Sequence, residues 1–153
     1  MPKRIIFPQK GQVSFENYDL PEIGDAQVQV RTHFSLMSIG TETIILNQLY
    51  DPDTHFARMF SFPQLKTGVQ AIGEVEAMGT AVKDFKLGDL IYMRAAHGSH
   101  QALDESACSL LPSTITDLKS ACWAGLAKTA FRAAWAGAFA AGQHVLIIGA
   151  GPV

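Results

Sequence analysis

The chain has 153 residues, 48% of them hydrophobic, and a formal net charge of −2. That is enough apolar material for one domain with its own core. A balance so near neutral gives no electrostatic footprint for nucleic acid or an acidic membrane surface. Two cysteines, Cys108 and Cys122, make no disulfide framework. The apolar run after the basic start is too short for a secretion signal. Residues 121–141 are the most apolar stretch, but Lys128, Arg132 and glycines interrupt them, whereas a membrane span needs about 20 apolar residues. These features predict a soluble, reduced, cytoplasmic protein with no nucleic-acid or membrane partner.

Taken in order, residues 3–7 and 12–16 flank Pro8-Gln9-Lys10-Gly11 and predict a hairpin. Residues 26–34 alternate: Val28, Val30, Thr32 and Phe34 fall on one face, Gln29, Arg31 and His33 on the other. This period of two is the strongest strand signal in the chain. Residues 41–49 predict a short helix with Glu42 in its first turn, where negative charge suits the helix dipole. Residues 50–67 carry Pro52, Pro63 and scattered aromatics and predict a long loop. Its aromatics Tyr50, Phe56, Phe60 and Phe62 suit either a cleft wall or a small satellite core.

Residues 69–78 predict a strand in which Gly73 marks a bulge or a close backbone approach. Further strands are expected over residues 90–94, 99–104 and 107–111. From residue 116 the period changes: Leu118, Ala121, Cys122, Gly125, Leu126 and Thr129 recur at three- and four-residue steps, a helical stripe. A second helix is expected over residues 128–138. Trp123, Phe131, Trp135 and Phe139 on this segment suit core packing or a surface that meets another domain.

The last stretch, Val145-Leu146-Ile147-Ile148-Gly149-Ala150-Gly151-Pro152-Val153, reads as a buried strand entering a glycine-rich turn. It matches the opening of a dinucleotide-binding fingerprint, in which the first glycine makes the turn and the second lets backbone approach a pyrophosphate. Gly149 and Gly151 are therefore the candidate cofactor-binding residues. The third glycine would fall just beyond Val153. The chain is expected to stop within the first turn of a Rossmann fold and to be inactive by itself.

The order of four stretches resembles the medium-chain dehydrogenase/reductase superfamily, the alcohol dehydrogenase-like enzymes. They are Ser38-Ile39-Gly40-Thr41-Glu42, Thr67-Gly68-Val69-Gln70-Ala71-Ile72-Gly73-Glu74-Val75, Gly88-Asp89-Leu90-Ile91-Tyr92, and the final glycine-rich turn. The resemblance implies a mainly β fold with C-terminal helices (α+β). Residues 1–115 would form a GroES-like, partly open β-barrel and residues 116–142 connecting helices. Residues 143–153 would be the first strand and turn of a truncated Rossmann domain. It implies NAD or NADP as cofactor of the full-length parent, a small-molecule substrate and a homodimeric parent.

In zinc-dependent members the first stretch reads Cys-Gly-Thr-Asp and the second Gly-His-Glu. Ile39 and Val69 stand at the ligand positions here and carry no donor atom for zinc. The segment around residues 92–101 has no cysteine lobe for structural zinc. The resemblance is thus to a subgroup lacking the zinc ligands, and no metal is expected. Charge on a substrate oxygen would then be met by hydrogen-bond donors. Thr41 and Gln70 are the catalytic candidates, with Glu42 as a possible acid or base whose ordinary role would be to charge the helix start. His97 and His100 read as two surface or rim histidines. Two alternatives stand beside this reading: a non-catalytic binding domain, and a zinc-dependent member with atypical ligands such as Cys122 with His55 or His97.

Overall fold

The computed structural model describes residues 1–149 and residue 151. Among these residues, eight strands form two antiparallel sheets. β1 (Lys3–Phe7), β2 (Ser14–Asn17) and β4 (Leu65–Lys66) make a three-stranded sheet in the order β2-β1-β4. β3 (Gln27–Ser35), β5 (Ala71–Met78), β6 (Leu90–Met93), β7 (His100–Asp104) and β8 (Cys108–Leu110) make a five-stranded sheet in the order β7-β3-β5-β6-β8. The fold is mainly β, a curled half-barrel with helices at its C-terminal end.

The predicted hairpin is present, with Lys3 opposite Asn17 and Ile6 opposite Ser14. The alternation of residues 26–34 is realised in β3, where Val28 and Val30 are fully buried. They pack with Ala71, Val75, Ile91 and Met93 in the main core. Gly73 is a site of close approach, since a Cβ there would lie 2.5 Å from Arg31 O on β3. The register of β3 against β5 shifts beside it, between Thr32 and Phe34.

The segment around His97 stitches the two sheets together. The Ile5 N–H donates to His97 O at 2.9 Å and the Ser99 N–H to Lys3 O at 2.8 Å on one side. On the other, the Thr32 N–H donates to Ser99 O at 2.9 Å. Tyr18 Oη adds a hydrogen bond to His100 O.

The helices depart from expectation in their bounds. α1 covers Ile39–Leu46, starting earlier than expected because the Glu42 N–H donates to Ser38 O and so sets Ser38 as the cap. The loop at residues 50–67 contains a short helix, α2 (His55–Met59), and β4. Its Tyr50 and Phe56 rings meet edge to face and Phe56 and Phe60 meet at a tilt, with centroids 5.2 and 4.6 Å apart. That is the satellite-core arrangement. The helical stripe after residue 116 divides into α3 (Leu118–Ala121) and α4 (Ala124–Ala136), and α4 begins before the expected residue 128.

At the C-terminal end one expectation is not met and one alternative is decided. Residues 145–148 form no strand and are exposed, Ile148 at 91%. A strand needs a neighbouring ladder for its N–H and C=O groups, and no strand of the described residues lies beside this segment. Of the two arrangements open to the aromatic residues of the helical segment, the exposed surface is the one present: Trp123 is 45%, Phe131 62% and Trp135 77% exposed.

Candidate functional site

Two places gather polar chemistry. The first is a cleft of about 650 Å³ between the five-stranded sheet and α4. Gln70 just before β5, Tyr92 on β6 and Arg94 just after it line the sheet side; Gly125, Lys128 and Arg132 line the helix side. The helix side follows from spacing, because residues 125, 128, 129 and 132 fall on one stripe of an α-helix.

Gly125 lets the helix sit against Gln70. A Cβ at that position would lie 2.2 Å from Gln70 Oε1 and 2.7 Å from Tyr92 Oη. Gln70 is only 1% exposed, and its Nε2 has no hydrogen-bond partner. A buried amide donor is ordinarily paired, and this one is not. Burial raises the Tyr92 pKa above its ordinary value of 10.0, although Arg94 acts the other way. Tyr92 therefore remains a hydroxyl, able to donate, across the physiological range.

The second place is a buried polar chain. His97, 4% exposed, is the correction to the expectation of two surface histidines. It is buried because the sheet-stitching segment carries it inward. Its Nε2 donates to Glu42 Oε2 at 2.9 Å, and its Nδ1 lies 2.8 Å from Ser35 Oγ. The second Glu42 oxygen accepts the Ser38 N–H at 2.7 Å. Burial pushes the Glu42 carboxyl up, but the His97 hydrogen bond, the Ser38 N–H and the charge interaction with His97 outweigh it and hold it below the ordinary 4.5.

Of the residues singled out from sequence, Gln70 lines the cleft. Thr41 is exposed on the first turn of α1 and Glu42 is engaged with His97; neither lines the cleft. Tyr92, Arg94, Lys128 and Arg132 were not singled out. The two helical cations were findable, because they share the stripe of Gly125 and Thr129; the two strand residues had no local signal.

Zinc does not fit the family positions. Ile39 and Val69 offer only hydrocarbon. Among the described residues no group of three His, Cys, Asp or Glu could hold a metal ion. The atypical set of Cys122 with His55 or His97 is not assembled. Cys122 Sγ contacts Phe34 O at 3.6 Å, and both His97 nitrogens are taken. Gly149 has φ +102°, a backbone conformation that favours glycine, and both Gly149 and Gly151 are exposed. Ala150, Pro152 and Val153 lie outside the described residues.

No protein-family model matches the chain, and no curated protein matches its sequence. Solved structures do match. The CurF ER cyclopropanase from the curacin A biosynthetic pathway is similar at 16% identity with a TM-score of 0.66, over 80% of this chain and 39% of that one. The Escherichia coli quinone oxidoreductase complexed with NADPH is similar at 24% identity with a TM-score of 0.59, over 80% of this chain and 36% of that one. The fold is that of the N-terminal domain of medium-chain dehydrogenase/reductases. An alcohol dehydrogenase superfamily protein from Novosphingobium aromaticivorans matches in the same way, at 17% identity with a TM-score of 0.61, over 76% of this chain and 36% of that one. The chain thus spans well under half the length of these medium-chain dehydrogenase/reductase structures. Among the described residues no helix is long and apolar enough to cross a membrane.

Proposed function

We propose that the chain is the substrate-side part of a zinc-independent, NAD(P)-dependent oxidoreductase of the cytoplasm that acts as a homodimer. Residues 1–115 form its GroES-like domain, residues 116–142 the connecting helices and residues 143–153 the entry into a nucleotide-binding domain. The observation that carries this reading is the cleft, where Gln70, whose buried Nε2 has no partner, sets its amide against Gly125 of α4, and where no group of three metal-donor side chains is assembled among the described residues.

In this reading Gly149 and Gly151 would hold the pyrophosphate of the dinucleotide. The nicotinamide, when bound, supplies or accepts the hydride. The chain's own residues orient the reacting molecule, a carbonyl or activated alkene that accepts the hydride or an alcohol that gives it up. Gln70 Nε2–H donates to the substrate oxygen on which charge develops, and the Tyr92 hydroxyl is the second donor. Arrangement before reaction matters here, since donors already fixed by burial need no reorganisation. Thr41 stands outside the cleft and takes no part in this step. Glu42 acts at a distance, by fixing His97 and the start of α1. The exposed Phe131 and Trp135 adjoin the cleft stripe of α4, and a nucleotide domain docked on them would close the open side.

The test is metal analysis of the purified chain together with calorimetric titration by NADPH and NADH. The reading predicts no stoichiometric zinc and no micromolar cofactor binding by residues 1–153 alone. Stoichiometric zinc would overturn the zinc-independence, and micromolar binding of either cofactor by this chain would overturn the domain assignment.

A further inference from the structure

The cleft carries more positive charge than hydride transfer to a neutral carbonyl requires. Arg94, Lys128 and Arg132 line it, and no carboxylate does. In a chain whose formal charge is −2, that concentration is not background. Arg4 and Arg31 are held by carboxylates on the surface, Arg31 by Glu74 at 2.8 Å and Glu76 at 2.7 Å. The three cleft cations have no carboxylate partner among the described residues, and they are exposed to the cleft and solvent. Beside them sits the one buried amide nitrogen of the cleft with no partner, Gln70 Nε2. The charged groups of the cleft are all cations.

We propose that the cleft is an anion-recognition site, in which Arg94, Lys128 and Arg132 take a carboxylate or phosphate borne by the bound molecule. Two guanidinium forks and an ammonium suit these groups, because a fork can donate two parallel hydrogen bonds to a pair of oxygens. A volume of about 650 Å³ holds a small acid with room for its reacting end. The inference rests on reading the cleft as the ligand site; it names the ligand as an acid. The anion belongs either to the substrate or to a cofactor phosphate, and the chemistry is the same for both.

The test is calorimetric titration of the 153-residue chain with inorganic phosphate, malonate and adenosine 2′,5′-bisphosphate, at low and moderate sodium chloride. Saturable binding of phosphate or malonate that weakens with salt is expected. It should weaken about tenfold or more in the double variant Arg94→Glu/Arg132→Glu, as loss of charge-assisted hydrogen bonds implies. Lys86→Glu, an exposed charge away from the cleft, should bind as the unmodified chain does. If the double variant does not fold, Arg94→Gln alone should still weaken binding several-fold. Bisphosphate binding about tenfold tighter than phosphate assigns the anion to the cofactor, whereas equal binding assigns it to the substrate. Absence of saturation with all three anions, or equal binding by the variants, overturns the proposal. That failure would leave the oxidoreductase reading standing, because turnover with NADPH is measured separately.

Discussion

Glu42 and His97 meet across 55 positions of sequence in a pocket where each is 4% exposed. A carboxyl whose folded pKa is depressed adds stability above its unfolded value and loses it as pH falls through the folded value. The protein should therefore shed this share of its stability as pH drops below the ordinary 4.5. Glu42→Gln should lack that part of the acid transition in urea denaturation followed by circular dichroism. At neutral pH, Glu42→Ala leaves a buried imidazole without its acceptor and should cost about 3 kcal/mol; a loss no larger than that of a surface substitution would contradict the role. The sequence placed Glu42 in a first helical turn, which is local, but it could not place His97 against it, which is not. Cys108 behaves in the opposite sense. Burial, with Asp104 and Glu105 adding to it, pushes its thiol up to about 11. At pH 8 only about one molecule in a thousand carries the thiolate. Reaction with a disulfide reagent should be slow there and should rise about tenfold per pH unit toward pH 11. Fast reaction at pH 8 would show a thiolate that the surroundings do not support.

α4 displays what period alone can and cannot reveal. Its three- and four-residue spacing was legible, and so was the shared stripe of Gly125 and Thr129. Which stripe faces protein was not, because that depends on what lies beside the helix. Phe131 and Trp135 lie 5.9 Å apart, edge to face, and are exposed. Trp135→Lys should lower the fluorescence of a bound hydrophobic dye while shifting stability by no more than about 0.5 kcal/mol, as for other surface positions. A large loss of stability would mean that this ring is core. β3 is the contrasting element. Its alternation named Val28 and Val30 as inward residues without help from the rest of the chain, because period two is a property of the strand alone. Residues 145–148 have the composition of a buried strand, yet composition forms a strand only where partner backbone exists.

At the scale of the whole molecule, two antiparallel sheets are joined through the His97 segment, and the cleft opens where the larger sheet meets α4. The fold class was readable because four spaced stretches marked turns and strand starts in a fixed order. The cleft was only half readable, because Gln70 belongs to one of those stretches, whereas Tyr92 and Arg94 reach it through pairing of β5 with β6. In the proposed function this cleft serves hydride transfer with hydrogen-bond donors in place of zinc. The most direct measurement is NADPH oxidation against a panel of quinones and enones by a protein in which a dinucleotide-binding domain continues this chain, before and after chelator dialysis. Turnover should survive chelation and should fall about 100-fold in Gln70→Leu, as loss of an oxyanion donor implies. Activity that vanishes on chelation and returns with zinc, or that is indifferent to Gln70→Leu, would contradict it.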